Sequence, residues 1–131
     1  MTESTLTNPT ALAEGYVRFW NLEPDQQRLL GRAIFTDDVV QYAPIGVLAG
    51  LDALIGFARQ FASEVGDYAY RRRELPESHH DRIRVRWELL RGDDSFAEGT
   101  DVMTLDEAGR IATITTFLDR APDGFDPHAH D

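Results

Sequence analysis

An acidic residue interrupts an otherwise apolar strand face late in the sequence. Asp101 alternates with Gly99 and Met103, and the same face continues to Leu105. If helices cover this face, burial raises the pKa of the carboxyl group, because its charged form loses hydration. Such a carboxyl group can act as a general acid or base, or donate a hydrogen bond to a developing oxyanion. The alternative is structural, with Asp101 facing solvent or bonding a buried backbone group.

Aromatic side chains supply the other candidates for a site. Tyr16 lies one turn before Phe19 and Trp20 on one face of the first predicted helix. Once buried, its hydroxyl needs a partner, so Tyr16 is either a donor facing a cavity or a core tyrosine bonded to a carbonyl. Tyr42 and Trp87 are aromatic residues of predicted strands, and each likewise belongs either to the core or to the lining of a cavity. We expect a cavity lined by Trp87, Tyr42, Phe57 and Phe61.

Several kinds of chemistry have no support in the sequence. The histidine pairs His79-His80 and His128/His130 lack a third ligand at a convincing spacing. The chain has no Cys, and all 13 basic residues are Arg, which excludes thiol and Schiff-base catalysis. No G-x-S-x-G or G-x-G-x-x-G motif occurs. We therefore expect neither a metal nor an organic cofactor.

Composition and charge narrow the class of protein. The 131 residues are 42% hydrophobic and 27% charged, which predicts one globular domain over residues 1–131. The order of the elements along the chain gives it a core at about 9–119, and the Pro, Gly, Asp and His residues that follow predict a flexible tail at 120–131. A net charge of −10 argues against nucleic-acid binding. The absence of a long apolar run argues against a membrane span. The polar, acidic beginning of the sequence does not resemble a signal peptide, so we expect a cytoplasmic protein.

The pattern along the chain predicts an α+β fold. Apolar residues at helical spacing predict helices from Pro9 to about Trp20, from Pro24 to about Phe35 and from Leu51 to Val65. A turn at residues 36–38 and a short strand at 39–42 separate the second and third helices. Alternating residues then predict four antiparallel strands, at about 68–75, 82–89, 96–105 and 110–118. The helices would cover one face of a curved antiparallel sheet.

The other face of this predicted sheet suggests self-association. The strands around 83–89 and 111–117 would leave it partly apolar and rich in Ile, Thr and Trp. Burying such a face against a second copy removes apolar area from water. We therefore expect a homodimer formed through the sheet.

Short motifs in a particular order add a family resemblance. They are Gly15-Tyr16-Val17-Arg18-Phe19-Trp20, Phe35-Thr36-Asp37-Asp38-Val39, Pro44-Ile45-Gly46, Gly50, Gly99-Thr100-Asp101-Val102 and the stretch 106–111. Over about residues 9–119 the sequence resembles the nuclear transport factor 2-like superfamily, which includes SnoaL-like polyketide cyclases and ketosteroid isomerases. The resemblance implies a cystatin-like cone of curved sheet closed by three helices, with a deep apolar pocket and a sheet-mediated dimer.

The resemblance also implies roles for individual residues. Tyr16 corresponds to the oxyanion-hole tyrosine of ketosteroid isomerases, and Asp101 to the carboxyl group that their apolar site keeps protonated. Ala43 stands where those enzymes have their general base, so the base would be Asp101 itself or a histidine such as His80, which would then reach the cavity and contact the substrate. The implied function is isomerisation, cyclisation, dehydration or hydration of a hydrophobic polyketide-, terpenoid- or steroid-like substrate. The alternative is a non-catalytic module that binds a small molecule or a protein.

Overall fold

A computed structural model describes residues 8–122 of the chain. The helices are α1 (Pro9–Phe19), α2 (Pro24–Ile34) and α3 (Leu51–Val65), and the strands are β1 (Phe35–Ala43), β2 (Gly46–Ala49), β3 (Ala69–Arg72), β4 (Glu77–His79), β5 (Arg82–Arg91), β6 (Asp94–Leu105) and β7 (Ile111–Arg120). Residues 1–7 and most of the predicted tail, 123–131, lie outside the described part.

The three helices form where the sequence predicts them. The Asn8 side chain accepts hydrogen bonds from the backbone N–H groups of Thr10 and Ala11, and proline occupies the first turn of both α1 and α2. α2 ends one residue before Phe35, whose backbone is already extended. α3 lies between two glycines with positive φ, Gly50 and Gly66, and has the predicted bounds.

The sheet is curved, open and mixed, with strand order β2-β1-β7-β6-β5-β3 and with β4 beside β5. β1 and β7 run parallel, so the prediction of a wholly antiparallel sheet was wrong. A parallel pair requires a long connection, and α3 together with the intervening strands provides one. Register shifts within the β1–β7 and β6–β7 pairs bend the strands locally.

Three local predictions differ from the structure. Residues 36–38 were predicted as a turn but lie within β1, where a register shift against β7 leaves Asp37 and Asp38 exposed. β2 and β4 were not predicted, because they are short and mostly exposed and so show no alternation. β3 spans four residues, fewer than the predicted eight.

The buried apolar core lies between the helices and the inner face of the sheet. Its fully buried side chains include Leu12, Phe19, Leu54, Ile83, Met103 and Ile114. α1 contacts α2, β3 and β5, and α3 contacts β1 and β2, so the two helices cover different parts of the sheet. None of the helices within residues 8–122 has the length and apolar character needed to cross a membrane.

The outer face differs in composition from the prediction. One row across paired strands carries Val47, Tyr42, Thr115, Val102 and Arg84. The Ile and Trp residues expected there point inward, since Ile83 and Trp87 are buried. The β5 side of this face instead carries Arg84 and Arg86, ion-paired with Glu77 and Glu74 respectively. The apolar part is therefore confined to β1, β2, β6 and β7.

Candidate functional site

Asp101 lies in the middle of β6 on the inner face, where its exposed fraction is 2%. The hydroxyls of Tyr16 and Tyr70 donate hydrogen bonds to its Oδ2 atom, with oxygen–oxygen distances of 2.5 and 3.0 Å. Trp87 Nε1 donates to the other carboxyl oxygen, Oδ1, at 2.9 Å. Both oxygens of one buried carboxyl group thus accept hydrogen bonds from aromatic side chains.

The backbone brings these four side chains together from four elements. Tyr16 comes from α1, Tyr70 from β3 and Trp87 from β5. Trp87 pairs with Gly99 in the β5–β6 ladder, and a Cβ atom on Gly99 would lie 2.2 Å from the indole Cζ2 atom. The missing side chain at position 99 therefore makes room for the indole ring, whose Nε1 reaches Asp101 two residues further along β6.

Burial sets the electrostatics of the cluster. It raises the pKa of Asp101, although hydrogen bonds from Tyr16, Trp87, Thr116 and Tyr70 oppose this rise. Burial, together with the negative charge of Asp101, raises the pKa of Tyr16 and of Tyr70 well above the usual value. Both phenols therefore remain protonated donors at neutral pH. Within residues 8–122, no Arg or His forms an ion pair with this carboxyl group.

The carboxyl group lies in the wall of a cavity of about 530 Å³ between α3 and the sheet. Most of the lining is aromatic or aliphatic, and it includes Phe57, Phe61, Tyr68, Tyr70, Trp87, Leu89, Phe96 and Leu118. Exposed residues such as Ile45, Gln60 and Glu64 also line it, so the cavity opens to solvent on their side. An apolar cavity with few polar groups is typical of a small-molecule site.

Some predicted site residues line this cavity and others do not. Phe57, Phe61, Trp87 and Asp101 line it. Tyr16 is fully buried in the core behind Asp101, so its hydroxyl donates to the carboxyl group and does not face the cavity.

The placement of Tyr42 and His80 in the cavity was wrong. Tyr42 is 47% exposed on the outer face, because strand alternation turns the adjacent Gln41 inward. His80 is exposed in the turn between β4 and β5, with a φ of 52° and its ring beside that of His79. It therefore cannot serve as a base in this cavity.

Three polar residues of the site were not identified from the sequence. Tyr70 contacts Asp101 directly, while Gln41 donates from Nε2 to Thr116 Oγ1 at 3.0 Å. Tyr70 lies two residues after Tyr68, and this spacing of two aromatic residues on one side of the predicted strand was a usable signal. Gln41 and Thr116 gave none, because a polar residue in a strand ordinarily faces solvent. No group of three His, Asp or Glu side chains in the described residues is arranged to bind a metal ion.

Comparison with known proteins assigns the chain to a family. The model of the SnoaL-like domain matches residues 13–114. A protein from Agrobacterium tumefaciens, described as a candidate isomerase of the SnoaL-like family, shares 26% identity over 86% of this chain and 98% of its own, with a TM-score of 0.80. None of the curated proteins compared with the chain matches it.

More distant structures share the fold. A candidate polyketide cyclase from Sinorhizobium meliloti is 16% identical over 86% of this chain and 98% of its own, with a TM-score of 0.65. A cystatin-like protein of unknown function from Methylobium petroleophilum is 14% identical, with a TM-score of 0.68, over 89% of this chain and 82% of its own. The fold matches these structures. Because the family model covers most of the sequence, the chain belongs to the SnoaL-like family.

Proposed function

We propose that this protein is a small-pocket enzyme that performs acid/base chemistry without a cofactor on a hydrophobic substrate. The observation that carries the proposal is the buried carboxyl group of Asp101 in the wall of an apolar cavity. The substrate class is a polyketide-, terpenoid- or steroid-like molecule bearing a carbonyl or an epoxide. The relative described as a candidate isomerase and the fold shared with a candidate polyketide cyclase support this class of reaction.

Asp101 acts in this proposal as the general base. An indole N–H can only donate, so the Oδ1 atom facing Trp87 must be an acceptor. The two phenols donate to Oδ2, and together these contacts favour the ionised carboxylate. Its raised pKa makes it a stronger base than an exposed aspartate, which lowers the barrier to removing a proton from carbon or from water.

One carboxylate must both take the proton and return it. Among residues 8–122, two acidic side chains line the cavity: Glu64 is exposed at its edge, and only Asp101 lies inside. The proton that Asp101 removes from one atom of the substrate therefore returns to another atom of the same molecule or to its leaving group. Isomerisation, cyclisation and dehydration all have this proton balance.

Substitution of Asp101 tests the proposal. Asp101→Asn keeps the shape of the side chain, since its amide oxygen can accept from Trp87 and its N–H groups can donate to the two phenolic oxygens. We expect turnover on a panel of apolar ketones and epoxides to fall at least about 100-fold. The matched control is Asp93→Asn, which makes the same change in an exposed turn and should retain turnover. Equal turnover by Asp101→Asn and the wild type would contradict the proposal.

The second candidate function is the binding of a small molecule without catalysis. The presence of alanine at position 43 favours it. Its methyl group lines the cavity at the position that corresponds to the base of ketosteroid isomerases. A binding module would be stabilised against heat by ligands of the panel and would turn none of them over.

We further propose that the protein forms a homodimer through the outer face of the sheet. Phe117, Tyr42 and Val47 are 56%, 47% and 62% exposed, and all belong to strands on one side of the sheet. Burying these side chains against a second copy would remove apolar area from water.

A further inference from the structure

A chain of polar side chains crosses the inner face of the sheet from β1 to Asp101. Gln41 on β1 donates from Nε2 to Thr116 Oγ1 on β7 at 3.0 Å. Thr116 is the residue directly opposite Asp101 in the β6–β7 ladder, so their side chains lie on the same face. This cross-strand pairing brings its hydroxyl close to the carboxyl group, where a donated hydrogen bond lowers the pKa of Asp101 and opposes the effect of burial. All three residues line the cavity.

The direction of these hydrogen bonds is fixed at the carboxylate. In the proposed function Asp101 is ionised and can only accept, so any hydrogen bond between it and Thr116 has the threonine hydroxyl as its donor. The oxygen of Thr116 then offers a lone pair to its other neighbour, and Gln41 must present an N–H group to it. The carbonyl oxygen of Gln41 is left buried without a partner in the described residues.

The unpartnered oxygen makes this orientation of the Gln41 amide energetically unfavourable by itself. A buried carbonyl group without a hydrogen bond is unfavourable. Turning the amide over would let this oxygen accept the hydroxyl hydrogen of Thr116, but Asp101 would then lose a donor. The observed orientation leaves an acceptor of Gln41 unpaired and leaves the threonine hydroxyl able to donate to the carboxylate.

We propose that Gln41 is a positioning residue for Asp101, which acts through Thr116 by holding the threonine hydroxyl as a donor towards the carboxylate. This role rests on the proposed function, in which Asp101 is the base. Gln41 helps to keep that base ionised in an apolar cavity and directs the hydrogen of Thr116 to its side. The other ionisable groups that contact Asp101 are Tyr16 from α1 and Tyr70 from β3, and β5 contributes only Trp87.

The test is to measure the pKa of Asp101 by NMR, using protein that contains carbon-13-labelled aspartate and no substrate. Thr116→Val removes the donor at nearly constant shape, and we expect the pKa to rise by about one unit. Gln41→Met removes the amide at similar volume and should raise the pKa by about half a unit, through the weaker hold on Thr116. Thr116→Ser keeps the hydroxyl and should retain the wild-type value.

The double variant shows whether Gln41 acts through Thr116. If it does, Gln41→Met produces no further rise in the Thr116→Val background, because the two effects share one path. A rise that persists in this background, or no rise in Gln41→Met alone, overturns the positioning role. This outcome is distinct from failure of the proposed function, which would appear as unchanged turnover in Asp101→Asn.

Discussion

Gly99 is the position where a single methyl group should disturb the site most. A Cβ atom there would lie 2.2 and 2.6 Å from two atoms of the Trp87 indole and 2.7 Å from the carbonyl oxygen of Phe117. The carbonyl oxygen belongs to the strand paired with β6, so it cannot retreat without disturbing the ladder. The indole must therefore move by about an ångström or more to reach ordinary contact distances near 3.5 Å.

Moving the indole ring destabilises the folded protein in two ways. Overpacking of a core position costs about 1–3 kcal/mol. Moving the indole also breaks the 2.9 Å bond from Nε1 to Asp101, and a hydrogen bond to a charged group contributes about 1.5–3 kcal/mol. We expect Gly99→Ala to lower the free energy of unfolding by about 3–5 kcal/mol. Losing this donor should also raise the pKa of Asp101 further.

Urea unfolding and the NMR signal of the Trp87 indole N–H provide the measurements. Gly56→Ala is the matched control, since Gly56 is exposed within α3 and a Cβ atom there meets nothing within 4 Å. That change should stabilise the helix by about 0.5–1 kcal/mol. A free energy of unfolding of Gly99→Ala within about 0.5 kcal/mol of the wild type, with an unshifted indole signal, would refute the clash between this Cβ atom and Trp87.

Two further predictions concern pH and assembly. Because burial raises the pKa of Asp101 in the folded state, the folded protein binds more protons than the unfolded chain above pH ~4, and stability falls as the pH rises through the raised value. Urea unfolding should show the wild type losing free energy of unfolding relative to Asp101→Asn across this range, and a relative gain would contradict it. Light scattering at micromolar concentration should give the mass of a dimer, and Phe117→Asp should give a monomer. A monomeric wild type would remove the dimer proposal.

The parts of the fold that follow a simple period could be predicted from the sequence. The bounds of α3 follow from apolar residues at helical spacing between two glycines. Asp101 was identified because it breaks the alternation of an apolar strand face, and its burial confirms that argument. The extent of β1 was harder, because the register shift after Phe35 leaves two exposed aspartates within the strand.

The partners of Asp101 could be predicted only in part, because they depend on which strands become neighbours. Tyr70 is 31 residues from Asp101 in the sequence, and its contact requires β3 and β5 to pair. Gln41 and Thr116 meet because β1 and β7 run parallel, which no local pattern indicates. The side chain of Tyr42 faces outward because successive residues of a strand face opposite sides, and Gln41 occupies the inward position in β1.

The strand order has a consequence for the substrate. Ala43 on β1 and Asp101 on β6 both line the cavity, and β7 lies between their strands. Two strand spacings separate them, which is about 10 Å. The base proposed at position 101 is therefore attached to the backbone about 10 Å from position 43. In the proposed function, the reacting atom of the substrate would therefore lie against β6, beside the rings of Tyr70 and Trp87, in a cavity that continues to Ala43.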